Sequence, residues 1–180
     1  LFGVVVAISD ETVLKNISIE NAEIYAGYGT DANASPDIYG AGVLVGELTT
    51  MGGSGATFIG VENCHGTGQV DSKMYAGGLI GSASRAHVSN CSADVTVTGK
   101  STSGGFIGNM FLGHYKNCTA KGNVTGEWST GGFAGCIFEI DDSAEVEFCA
   151  SYGDVAACDW NTGGFVGYLE KGKVSNSVSY

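Results

Sequence analysis

The side chains best able to do chemistry in this sequence are its 6 cysteines, in a chain of 180 residues. Four recur 27, 27 and 31 residues apart, at Cys64, Cys91, Cys118 and Cys149. Thiolates bind metals or form disulfides, but the sequence contains no C-x-x-C pair. We therefore expect four buried, reduced thiols that act as small apolar side chains, with a disulfide or a metal site as alternatives. Cys136 and Cys158 lie outside the series, and a disulfide between them is a further alternative.

Two histidines follow the same spacing as the cysteines. His87 and His114 are 27 residues apart, and Glu145 and Lys173 occupy the next equivalent positions. A row of two imidazoles and a carboxylate on neighbouring strands can hold Zn²⁺ or respond to pH. The sequence has no H-E-x-x-H motif, which argues against a zinc peptidase of that type. We favour the simpler interpretation, a row of solvated side chains that point outward.

One loop resembles the start of a calcium-binding loop. The segment DANASPD places Asp31, Asn33, Ser35 and Asp37 at alternating positions. It lacks the glycine at the sixth position and the glutamate at the twelfth that complete such a loop. A solvated acidic loop is therefore the main interpretation, and a Ca²⁺ site is the alternative. We predict no other cofactor.

The two tryptophans are the candidate ligand-binding residues. Trp128 and Trp160 each lie three residues before a glycine pair. We expect them to stack at one corner of adjacent coils, where two aromatic faces can form a sugar platform or a protein hot spot. The alternative, which we favour from the sequence, is that they cover the corner and seal the edge of the core.

These residues recur because the sequence itself repeats. Glycine pairs end at Gly78, Gly105, Gly132 and Gly164, each 14 or 15 residues after a cysteine of the series. A unit of 27 residues made of short β-branched and aromatic runs cannot bury its apolar face alone, whereas stacked copies share one core. The pattern predicts an all-β fold, a parallel β-solenoid with three short strands per coil, roughly six coils and a right-handed turn.

Stacking places equivalent residues of successive coils above one another, at about 4.8 Å. An apolar column is predicted at Leu79, Phe106, Phe133 and Phe165. A polar column is predicted at Asn63, Asn90, Asn117 and Asn176. Asn suits a corner because it tolerates left-handed backbone and its amide can bond the amide of the next coil.

We expect residues 1–180 to form a single domain, as part of a longer chain. Its predicted parts are a first coil at 1–27, a loop at 28–37 and repeat coils at 38–180. Insertions near 47–59 and 136–144 break the period, and such loops often carry binding residues.

The net charge of −11, with only 8 Lys and Arg residues, argues against nucleic-acid partners and against anionic membrane surfaces. No apolar run reaches the roughly 18–20 residues of a membrane span, so membrane insertion is not expected.

The tetrapeptides GLIG, GFIG, GFAG and GFVG, in register with the cysteine phrases, resemble the GLUG-motif repeat family over about residues 38–180. The two insertions, and Phe148 in place of an asparagine, depart from the pattern. This family occurs in large secreted or wall-attached bacterial proteins, such as adhesin-like surface proteins and non-catalytic regions of IgA-specific metallopeptidases. The resemblance implies an extracellular, cell-surface or secreted β-solenoid segment, and it brings no catalytic residue.

The leading functional hypothesis is therefore a non-enzymatic bacterial surface module, a rigid spacer or adhesin segment. Its expected partners are a host glycan or surface protein, together with further coils or domains of the same chain. A glycan- or Ca²⁺-binding module is the alternative. A carbohydrate-active enzyme on the β-helix ranks third, because no paired carboxylates converge in the columns.

Overall fold

Residues 2–7, 12–27, 40–50, 58–138 and 144–180 are described by a computed structural model of the chain. Short strands pair in parallel with the equivalent strands of the coils before and after them. No helix occurs in these ranges. The predicted parallel β-solenoid is thus confirmed, with about four regular turns roughly 28 residues apart instead of six. The predicted loop at 28–37 lies outside the described residues, as do 51–57 and 139–143 of the two insertions.

The strands follow one another in a repeating order around the coil. The first are β1 (Phe2–Ala7), β2 (Val13–Lys15), β3 (Ser18–Ala26), β4 (Gly40–Ala41), β5 (Val45–Thr50), β6 (Ile59–Glu62) and β7 (His65–Ser72). The next are β8 (Tyr75–Gly77), β9 (Ile80–Ala83), β10 (Ala86–Ser89), β11 (Ser92–Gly99), β12 (Thr102–Gly104), β13 (Ile107–Met110), β14 (Gly113–Lys116), β15 (Thr119–Ala120) and β16 (Val124–Gly126). The last are β17 (Ser129–Gly131), β18 (Ala134–Ile137), β19 (Glu145–Glu147), β20 (Ala150–Ser151), β21 (Val155–Ala157), β22 (Thr162–Gly163), β23 (Val166–Leu169), β24 (Lys173–Ser175) and β25 (Val178–Ser179).

The described residues form four parallel sheets, one more than the three strands per coil that the sequence predicted. Sheet A has the order β1-β5-β9-β13-β18-β23, and sheet B the order β2-β6-β10-β14-β19-β24. Sheet C joins β3, β7 and β11 and then divides into β15-β20-β25 and β16-β21. Sheet D has the order β22-β17-β12-β8-β4, and its strands are two or three residues long; all except β4 end on the first glycine of a pair. Its strands are so short that the sequence could not separate them from the corner that follows.

The interior is a continuous apolar column. The rings of Phe106 and Phe133 stack at 4.9 Å between centroids, and those of Phe133 and Phe165 at 5.0 Å, with interplanar angles of 5° and 3°. These distances equal the spacing of strands in a sheet, so each ring lies directly above the next. Phe106 and Phe133 are fully buried, as is Leu79 one coil earlier. The coils therefore share one core, and a change in one coil is transmitted to its neighbours.

The corner between sheets B and C is built by left-handed asparagines. Asn63, Asn90, Asn117 and Asn176 all have φ between 49° and 54°, and Asn16 has 56°. Two pairs of these amides are hydrogen-bonded across neighbouring coils: Asn63 Nδ2 donates to Asn16 Oδ1 at 3.2 Å, and Asn117 Nδ2 donates to Asn90 Oδ1 at 3.3 Å. Phe148 occupies the same corner with a φ of 53°, a conformation that bulky side chains rarely adopt.

Replacing Phe148 by asparagine is expected to stabilise the fold. Left-handed backbone costs an ordinary residue about 1–2 kcal/mol, and Asn bears less of that cost. Part of the gain is offset because Lys116 Nζ lies 5.4 Å from the Phe148 ring centroid and would lose this cation–π contact. We expect the free energy of unfolding to rise by about 0.5–1 kcal/mol, measured by urea denaturation. Phe148→Ala is the matched control, since it removes the ring and keeps the unfavourable backbone; equal stability of the two variants would refute this explanation.

Candidate functional site

The cysteine column lies inside the solenoid. Cys64, Cys91, Cys118 and Cys149 are buried and free. The amide of Cys64 donates to Cys91 Sγ at 3.3 Å, and that of Cys118 to Cys149 Sγ at 3.4 Å. Burial raises the pKa of the Cys118 thiol well above its usual range, so it stays protonated at neutral pH. The column thus acts in packing and in satisfying backbone amides.

The other two cysteines lie on different sheets. Cys136 is in sheet A, paired with Asn109 and Tyr168, whereas Cys158 follows β21 of sheet C and is exposed. Both are free, so the alternative of a disulfide between them was wrong. The two cysteines are not equivalent positions of the coil. Their separation of 22 residues already indicates this, because successive turns are about 28 residues apart. Burial and, to a smaller extent, the Glu170 carboxylate raise the pKa of Cys136 to about 11.

The histidine row lies on the outer face of sheet B. Strand register places His87 beside Gly60 on one side and His114 on the other, with Glu145 and Lys173 continuing the row. The two imidazole centroids are 5.1 Å apart, with an interplanar angle of 49°. Phe58 stacks on the other face of His87, at 4.2 Å and 13°. The sequence predicted the row, but not the aromatic ring that extends it.

The alternative interpretation of this row, a metal site, finds no support in the geometry. Glu145 Oε1 accepts from Lys173 Nζ at 2.8 Å, and this hydrogen bond lowers the pKa of Glu145 and raises that of Lys173. Among the residues that the structure describes, no three His, Cys, Asp or Glu side chains are grouped to hold a metal ion. The proposed calcium ligands Asp31, Asn33, Ser35 and Asp37 lie outside the described residues.

Three lysine–glutamate pairs cover the rest of this face. Lys15 Nζ lies 2.6 Å from Glu62 Oε2, and Lys116 Nζ lies 3.2 Å from Glu147 Oε2. The third pair is that of Lys173 with Glu145. Each joins neighbouring coils, but these pairs are exposed and screened by solvent, so they add little to stability. Their main effect is to neutralise the glutamates of the face.

The tryptophan corner is exposed. Trp128 and Trp160 leave adjacent coils in register, because the Asp159 amide donates to the Glu127 carbonyl and the Thr130 amide to the Asn161 carbonyl, both at 3.0 Å. Their exposed fractions are 61% and 73%, so most of each indole faces solvent instead of sealing the core. The two rings make no ring contact in the part of the chain that the structure describes. They are thus available to a ligand, and a binding role for them stays a prediction.

A groove beside the histidine row was missed from the sequence. It has a volume of about 430 Å³ and is lined by Val13, Phe58, Gly60, Glu62, His87, Val88, Ser89, His114 and Lys116. Extending the histidine column back by one coil, to Gly60, would have indicated it, since a glycine there leaves a gap in a row of long side chains.

The glycine phrase has a defined structural role in each coil. In GLIG, Leu79 enters the core column and Ile80 begins β9. A Cβ on Gly81 would lie 2.3 Å from the Ala41 backbone nitrogen, so only glycine fits between the coils there. A family model of the GLUG motif matches residues 73–98. This coil carries a GLUG motif.

Copies of the GLUG tetrapeptide occupy the equivalent place in later coils, where Ile107, Ala134 and Val166 pair in succession. No curated protein and no solved structure gives a significant match to the chain. Within the described ranges there is no helix with the length and apolarity needed to cross a membrane. The comparisons therefore identify a repeat motif, and any activity has to be inferred from the side chains on the surface.

Proposed function

We propose that this chain is a non-enzymatic module of a bacterial surface, a rigid spacer or adhesin segment that faces host or neighbouring surfaces. The observation that carries the proposal is the uninterrupted column through Phe106, Phe133 and Phe165, which ties the coils into one stiff body. The GLUG motif supports a repeat module of surface type. An extracellular location follows from the same proposal.

A glycan-binding module is the second candidate, and the exposed tryptophans favour it. Sugar rings present apolar C–H faces that stack on aromatic side chains. Trp128 and Trp160 lie on adjacent coils at one corner, which provides two aromatic faces for a single chain of sugars. Further coils of the same protein would extend the array.

Binding of the chain to an array of host glycans and mucins tests the proposal. We expect binding that is reduced at least about tenfold by the double substitution Trp128→Ala/Trp160→Ala, taking as a guide the stacking of a nucleic-acid base on one aromatic ring, which is worth about 1–3 kcal/mol. The matched control is Tyr152→Ala/Tyr180→Ala, which removes another exposed aromatic pair, stacked at 4.8 Å. Circular dichroism verifies that each variant is folded.

Three results separate the candidates. Binding lost only in the tryptophan variant supports an adhesin segment with a lectin-like corner. Binding lost on addition of EDTA to the unaltered protein instead points to a Ca²⁺ site and contradicts the tryptophan assignment. No binding by any folded form supports the spacer and overturns the adhesin function.

A further inference from the structure

The groove on the outer face of sheet B, which we call the histidine groove, has the size of a small-molecule site. Its volume of about 430 Å³ falls in the range of about 300–1,000 Å³ that ligand pockets occupy. The floor is formed where side chains are small: Gly60 stands beside His87, and Ser89 stands between Glu62 and Lys116. The long side chains of neighbouring positions form the walls.

One wall of the histidine groove is aromatic. The rings of Phe58 and His87 are stacked nearly parallel with centroids 4.2 Å apart, and the His114 ring follows at 5.1 Å. Stacking covers the ring faces that these residues turn toward one another, so ring edges line the groove, and the positive edge of an aromatic ring suits the oxygen atoms of a sugar. His87 and His114 are both exposed, so a ligand can reach them from solvent.

The charges around the histidine groove differ from those of the whole chain. The protein carries a net charge of −11, yet this face holds Lys15, Lys116 and Lys173 beside two of the three histidines. The glutamates that face the imidazoles from the adjoining strands each have a lysine partner: Glu62 with Lys15, Glu147 with Lys116, and Glu145 with Lys173. The glutamates that the structure describes on this face are therefore already paired with lysines.

We propose that the histidine groove binds an acidic sugar, with the carboxylate at His114 and Lys116 and the pyranose ring over the floor at Gly60 and Ser89, beside the edges of the Phe58 and His87 rings. Imidazole and ammonium groups donate charge-assisted hydrogen bonds to a carboxylate, which are stronger than neutral ones. Binding strengthens below neutral pH, because histidine is the side chain that gains charge there. The inference rests on the proposed surface function, and it places a second sugar contact on a different sheet from the tryptophan corner.

An NMR titration of the imidazole signals tests this site directly. The probes are methyl glucuronide and its neutral counterpart methyl glucoside, each added to the full 180-residue chain at pH 5.5 and 7.5. We expect the glucuronide to bind about tenfold more tightly at pH 5.5, since histidine side chains in general change from mostly charged to mostly neutral between these values. The glucoside is expected to bind at least about tenfold more weakly than the glucuronide at pH 5.5.

Two variants act on different parts of the site. His114→Gln removes the chargeable ring, and Ser89→Tyr fills the floor without removing either imidazole. Both are expected to weaken glucuronide binding at pH 5.5 at least about tenfold. His65→Gln is the matched control, because His65 lies on sheet C, where its Nδ1 is 2.9 Å from Ser92 Oγ; it should leave binding unchanged.

The inference is overturned by any of three results: no binding of glucuronide at pH 5.5, equal binding of the two sugars, or unchanged binding in both groove variants. Failure of the proposed function gives a different pattern. If mucin binding is lost in the tryptophan variant and kept in His114→Gln, the proposed surface function is supported and sugar binding in the histidine groove is ruled out. If the protein binds glucuronide but no mucin, sugar binding in the histidine groove is supported and the adhesin function is ruled out.

Discussion

Replacing Gly132 by alanine is expected to destabilise the solenoid by about 3 kcal/mol, the upper end of the usual cost of overpacking. An added Cβ would lie 2.1 Å from the carbonyl oxygen of Gly164 in the next coil. That atom belongs to the backbone of a parallel ladder, in which the Gly132 amide donates to the Gly163 carbonyl at 3.3 Å. Neither coil can move away without breaking its pairing with the other. Thermal unfolding should show a melting temperature lower by about 6–12 °C.

The control for this prediction is the same substitution one coil later. A Cβ on Gly164 would approach only the side chain of Ser179, with Oγ at 2.8 Å and Cβ at 3.6 Å. The hydroxyl can rotate away, so Gly164→Ala should cost less than about 1 kcal/mol. Equal losses of stability at the two positions would mean that glycine is needed there for its backbone conformation, and not because the coils approach closely.

Truncation of Phe133 to alanine is the second large expected effect. This fully buried ring stacks on Phe106 and on Phe165, so its removal leaves a cavity between two rings that cannot close together. Phe→Ala in a core typically costs about 3–5 kcal/mol, and we expect a value in this range from urea denaturation. The loss should appear as a shift of the transition midpoint for all coils together, because they share one core.

A conservative change and a surface change complete this test. Phe133→Leu copies the residue found at Leu79 in the same column and should cost about 1 kcal/mol, since most of the apolar volume is kept. Phe138→Ala removes a ring that is 38% exposed and should cost clearly less than Phe133→Ala. A loss below about 1 kcal/mol in Phe133→Ala would show that the phenylalanine column does not hold the coils together.

The candidate sites differ in how far the sequence could predict them. The histidine row was visible because His87 and His114 share the period of the coil. The histidine groove was not visible, because it depends on the absence of a side chain at Gly60 and on the stacking of Phe58 on His87. Phe58 lies just before β6, outside the repeating strands. The exposure of Trp128 and Trp160 also depended on side-chain direction, which spacing along the chain does not specify.

The sequence by itself determined the period, the parallel stacking and the columns. In a solenoid each coil rests on a copy of itself, so identical residues at a fixed interval must lie above one another; the glycine pairs and corner asparagines could be placed on this basis. Only the tertiary structure decided the fourth sheet, the exposure of the corner tryptophans and the groove on sheet B. These features depend on how the chain turns within one coil and on which side chains are absent between neighbours, and a repeat interval carries no information on either.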